Sequence, residues 1–149
     1  MRREIKAYIE AELRDYHQTK KDLEEALKDV IEENFAVKID DVGGSPGNIV
    51  SRPVEVKAIK LLTNRRIKKM DEIVSAIDDV VSDLDEPKYR LIEMCYWTKP
   101  NYLKDIGIAR ELNIDRSTFY RWRDIILEAI SEKMGLMKNC DNNATKKAR

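Results

Sequence analysis

Apolar residues in this chain recur at steps of three and four, the spacing that gathers them on one side of an α-helix. Ile5, Ile9, Leu13 and Tyr16, followed by Leu23, Leu27 and Val30, make one such row. They predict helix from Arg2 to about Glu33. The polar stretch HQTKK interrupts the row, and Thr19 with Asp22 three residues on has the form of a helix start. The pattern therefore fits one continuous helix or two joined by a bend near Tyr16 to Thr19. A second row runs through Ile59, Leu62, Ile67, Met70, Ile73 or Val74, Ile77, Val80 or Val81, and Leu84. Its spacing is that of a coiled-coil seam over about three heptads. Such a seam has to be buried, either against the first helix as an antiparallel pair or against a second copy as a homodimer. The basic run NRRIKK from Asn64 to Lys69 reads most simply as a solvated face. Charged residues make up 38% of the chain, with five Gly and four Pro. Average usage is roughly 25% charged, so this mixture favours long exposed helices over a sheet. The expected fold class is all-α.

The breaks fall where Gly and Pro cluster. DDVGGSPGNIVSRP holds three of the five glycines and reads as a connector, because Gly permits positive φ and Pro withholds a donor. A nucleotide-binding loop would need GK[ST] opening a helix after a strand, and neither the Lys nor the strand is there. Pro53, preceded by Ser51 or Arg52, suits the first turn of the next helix. DEP at Asp85 to Pro87 punctuates the chain again, and Leu91, Ile92, Cys95 and Tyr96 mark the apolar side of a third helix. TKPNY from Thr98 to Tyr102 ends it, since the residue before Pro100 is disfavoured in the α region. Gly135 is a helix stop. Five segments result: a helical segment over 1–34, a Gly-rich flexible loop over 35–52, a long helical or oligomerisation segment over 53–85, a helix-turn-helix domain over 86–137, and a polar, disordered tail over 138–149.

Several function classes drop out. No run approaches the roughly 18 apolar residues of a membrane span, and MRREIKAYIE lacks the apolar core of a signal peptide, so a cytoplasmic protein is expected. Cys95 lies in an apolar stretch and Cys140 in the polar tail, with one His in the whole chain. That set does not make a zinc site of paired Cys and His ligands. The acidic pairs Glu24–Glu25, Glu32–Glu33 and Asp78–Asp79 sit at neighbouring helical positions and point apart, unlike the clustered carboxylates of a nuclease. A mixed α/β recombinase domain is not encoded. No catalytic residue, metal or cofactor is expected.

The chain carries no formal net charge, yet the charge is unevenly placed. From Lys99 to Arg149 there are 11 Lys or Arg against 7 Asp or Glu, a balance of +4. Positions 1 to 98 hold 17 basic and 21 acidic residues, a balance of −4. The carboxyl third is thus the part drawn to phosphates. Within it, IGIARELNIDRSTFYRWRDIIL fits two helices meeting at a steep angle. Ala109 is the small residue where they cross. Ile108, Leu112, Ile114, Phe119 and Trp122 fill the wedge, and Asn113 suits a left-handed turn position. Asp115 is placed to cap the second helix by accepting from its free amides. With Phe119 and Trp122 inward, Arg116, Ser117, Thr118, Tyr120 and Arg121 point outward, where a recognition helix meets base edges. Arg123 and Lys104 are placed for backbone phosphates.

Residues 87–135 resemble the sigma-factor region 4-like helix-turn-helix module. The chain up to about Leu136 is similar to the RinA/ArpU family of phage late-gene transcriptional regulators, through HQTKKDLEEA, the Gly-rich loop, SRPVEVKAIKLL, and YW followed by IARELNIDRSTFYRWRDIIL. The resemblance implies a cytoplasmic, nucleoid-associated activator in a bacterial host. It would bind double-stranded promoter DNA near packaging or late genes and assist host RNA polymerase. It places the DNA contacts on Asp115 to Arg121 and implies no enzyme activity. A small terminase-like packaging protein also joins a DNA-binding module to oligomerising helices. There, however, the module tends to lie at the amino end.

Overall fold

The computed structural model describes residues 1–40 and 64–137. Among them are five α-helices: α1 (Arg3–Asp40), α2 (Arg65–Ser82), α3 (Glu86–Ile92), α4 (Asp105–Glu111) and α5 (Arg116–Lys133). A π-helical turn, Glu93–Trp97, continues α3. The fold class is all-α, as the apolar spacing predicts.

Of the two forms open to α1, the continuous one is found, and its end lies later than expected. It runs unbroken for 38 residues, through HQTKK and past residue 34 into what reads as the Gly-rich loop. The reason is local. No Gly or Pro interrupts this stretch, and polar side chains such as the exposed His17 and Gln18 sit on a helix surface without breaking it. Gln18 even donates to the Asp22 carboxylate one turn on, at 2.8 Å, the i,i+4 contact that supports a helix. The remainder of the loop, the seam residues Ile59 and Leu62, and the polar tail with Cys140 lie outside the described residues.

The chain divides into two compact units whose boundaries fall inside α1 and α2. In the unit His17–Val74 the buried apolar residues, among those described, are Leu23 and Val30 of α1 and Ile67, Ile73 and Val74 of α2. The other unit takes Met1–Tyr16 and the chain from Ser75 onward. Its core is formed by Ile9 and Leu13 of α1, Ile77 of α2, Leu91 and Ile92 of α3, and Phe119, Ile126, Leu127 and Ile130 of α5. The seam of α2 is therefore covered within a single chain: Ile67 is 4% exposed and Ile77 fully buried, with Met70 and Leu84 half-buried. Of the two covers that the spacing allows, the burial of Ile67 and Ile77 is the intramolecular one.

Aromatic residues tie α1 to the π-helical turn. Trp97 donates its indole N–H to the Leu13 carbonyl at 2.9 Å and stacks on Tyr16, with ring centroids 5.3 Å apart. Tyr96 donates to the Glu10 carboxylate at 3.0 Å, and Tyr16 donates to Asp78 of α2. The turn itself is closed by the Thr98 amide donating to the Glu93 carbonyl at 2.8 Å, five residues back. Within the same unit, Lys6 pairs with Asp124 of α5 at 2.6 Å. These contacts give α3 and α5 a fixed support.

Candidate nucleic-acid interface

α3 starts where Pro87 indicates, with Asp85 as its flanking residue and Pro in the first turn. α4 and α5 are joined by a turn built on Asn113. Its φ is 54°, inside the left-handed region that Asn tolerates better than most residues. The Asn113 amide donates to Arg110 at 3.1 Å and the Ile114 amide to Ala109 at 3.0 Å. This is the paired closure of a Schellman motif. Gly135, at φ 70°, ends α5 in the same way. Its amide donates to Glu132 at 3.0 Å, and the Leu136 amide donates to Ser131 at 2.9 Å. Ala109 is buried, as are Ile108 and Phe119, while Leu112 and Ile114 are half-buried.

Two local expectations fail. Asp115 has the extended backbone of a cap residue, but its side chain makes no capping hydrogen bond. Helix initiation there rests on the backbone, through the Phe119 amide donating to the Asp115 carbonyl at 2.9 Å. Trp122 is half-buried rather than a full wedge residue, and the Lys88 ammonium lies 5.4 Å from its ring centroid. A bulky ring at the margin of the core can gain from a cation over its face, so complete burial is not required of it.

The expected contact residues separate into three groups. Arg116, Ser117 and Arg121 are exposed on α5, and Lys104 is exposed just before α4. Thr118 and Tyr120 are half-buried. Arg123 is turned inward. Its side chain is 15% exposed, and its Nη1 pairs with Asp105 at 3.1 Å, whereas its sequence position suggests an arginine open to phosphates. Its Cζ lies 5.4 Å from the Phe119 ring centroid and 5.0 Å from that of Tyr120. Burial works against its charge, but the fields of Tyr96, Asp105 and Glu10 outweigh that cost and hold its pKa above the ordinary arginine value. Asp105, which sequence reasoning passed over, is the residue that anchors it. A signal for this was present: Arg123 lies four residues after Phe119 and four before Leu127, on the buried row of α5.

Cys95 sits beside this cluster, and burial pushes its thiol up to about 12. It stays protonated near neutrality and is a poor nucleophile or metal ligand there. Among the described residues no group of three or more His, Cys, Asp or Glu could hold a metal ion, and no helix is long and apolar enough to cross a membrane. The arrangement offers cations and hydroxyls on one helix face, a set suited to hydrogen bonding with an anionic polymer.

The chain belongs to the family described as "Protein of unknown function (DUF722)", whose model matches residues 6–132. Neither a curated protein nor a solved structure matches it.

Proposed function

We propose that α3 to α5 form a helix-turn-helix module of the sigma region 4 kind that binds double-stranded DNA. On this reading the protein is a sequence-specific transcriptional regulator, and α5 is the recognition helix. The observation that carries the reading is the outward face of α5. Arg116, Ser117 and Arg121 stand in solvent at its amino-terminal end, directly after a left-handed Asn turn and opposite a buried Phe119. Arg suits guanine in a bidentate contact, and Ser suits bases or phosphates.

Asp115 flanks the start of α5, and its first turn carries Arg116 and no acidic residue. The exposed Arg121 adds a second cation to that part of the helix. An external anion placed there meets both guanidinium groups. Lys104 then contributes a phosphate contact beside α4.

The wider role is an activator of phage late or packaging genes acting with host RNA polymerase, as the likeness to the RinA/ArpU regulators implies. The acidic balance of residues 1–98 suits a part of the molecule held off the DNA. Two copies on half-sites about one helical turn apart fit this design.

Selection of duplexes from a random pool by the full chain, followed by footprinting of the winning site, tests this reading. Enrichment of one short motif with protection over it is expected. A pool that stays random after repeated rounds would refute the proposal.

A further inference from the structure

We propose that Arg123 is a positioning residue for the DNA-reading face: anchored by Asp105, it fixes Tyr120, and Tyr120 in turn fixes Arg116. The inference rests on the DNA-binding reading of α5. Arg116, Tyr120 and Arg123 form a column along one side of that helix, at steps of four and three residues. The Arg123 Cζ lies 5.0 Å from the Tyr120 ring centroid, and the Arg116 Cζ lies 5.5 Å from the same centroid. Phe119, fully buried, meets Tyr120 edge-on at 5.3 Å and places its ring centroid 5.4 Å from the Arg123 Cζ. The column is thus tied to the core at one end, and to α4 through Asp105 at 3.1 Å.

The Arg123 Nε is buried and has no hydrogen-bond partner. The guanidinium is therefore held by one ion pair and by the faces of two rings. Lys could keep the ion pair but has no planar group to lie against the rings. An exposed arginine loses rotamer freedom when it meets a base, and a ring already beneath it reduces that loss. Arg116 has such a ring, and Arg121 has no aromatic contact of this kind among the described ones.

A phosphate-binding arginine and a positioning arginine leave different traces in binding. Removing a phosphate contact weakens binding to all sequences alike and lowers the salt slope by about one unit. Removing a positioning residue leaves the slope in place and erodes discrimination between sequences. The test uses the full chain, Arg123→Lys, the uncharged Arg123→Met and Asp105→Asn, each checked for parental helix content and melting. Each is titrated at several salt concentrations against the duplex selected by the parent and against duplexes mutated within its footprint. The expected result is an unchanged salt slope, with the ratio of affinities for selected and mutated duplexes reduced about fivefold or more, the lower end of what one base-reading arginine supplies. A slope lowered by one unit at constant ratio in Arg123→Met would make Arg123 a phosphate contact and overturn the proposal. Equal loss on every duplex at constant slope would reduce it to a scaffold residue and overturn the proposal as well. Asp105→Asn carries the test if Arg123→Lys does not fold, since it releases the anchor and leaves both rings in place. A parent that selects no duplex at all would sink the DNA-binding reading, and this inference with it.

Discussion

The inward side of α5 carries Phe119, Ile126, Leu127 and Ile130, none more than 1% exposed, whereas its outward side carries Ser117, Arg121, Ile125, Glu128 and Glu132, all open to solvent. Folding dictates the first set, because each residue removes apolar surface from water and fills a close-packed site. Nothing in the fold dictates the second set. Arg121 and Arg123 show the difference within two residues. Arg123 is committed to Asp105 and two aromatic rings, while Arg121 lies on the outward face. The same residue type serves structure on one side of the helix and is free for recognition on the other.

Substitutions on the two sides should therefore fail differently, with the largest effect on the inward side. Phe119→Ala is expected to cost ~3–5 kcal/mol of folding stability, the range for a large buried aromatic, as read from urea unfolding. Trp122→Ala, at a half-buried ring, should cost clearly less in the same assay. Equal losses would place Trp122 in the core after all. On the outward side, Arg121→Ala should weaken binding to a selected duplex by about 1–3 kcal/mol and leave melting where it was. A variant that melts early but binds normally would invert the comparison.

Smaller effects are expected in the turn and at the helix start. Asn113→Ala should destabilise by about 1–2 kcal/mol, since a Cβ-bearing residue without a local polar side chain pays for the left-handed conformation. Asn113→Gly should be close to neutral. Asp115→Ala should fall below the ~0.5–2 kcal/mol of a working cap, because its side chain makes no capping hydrogen bond. A full-sized loss at Asp115 would show that the cap forms in solution.

The helical rows were legible because their period is a direct consequence of backbone geometry, and Ile9, Leu13, Ile77 and Phe119 are buried where that period places them. The turn at Asn113 and the stop at Gly135 were legible for a related reason: few residue types accept a positive φ. Continuity of α1 through HQTKK was not, since a polar interruption looks the same whether a helix bends or merely exposes that face. The seam of α2 had two possible partners, and spacing alone is blind to which one covers it. Arg123 is turned inward although its charge suggests solvent. Its position on the Phe119–Leu127 row pointed inward, and a buried partner such as Asp105, 18 residues away, is not visible in local pattern. The π-helical turn, and the Trp97 bond to Leu13 across 84 residues, depend on tertiary contacts that no window of sequence contains.

The central claim is that the outward, amino-terminal face of α5 meets duplex DNA. Amide chemical-shift mapping of the full, isotope-labelled chain titrated with its selected duplex tests this most directly. The largest shifts are expected at Arg116, Ser117 and Arg121, with a lesser response near Lys104 and little change at Ile126, Leu127 and Ile130. Shifts gathered on α1 or α2 at saturating duplex, with the start of α5 unmoved, would contradict it.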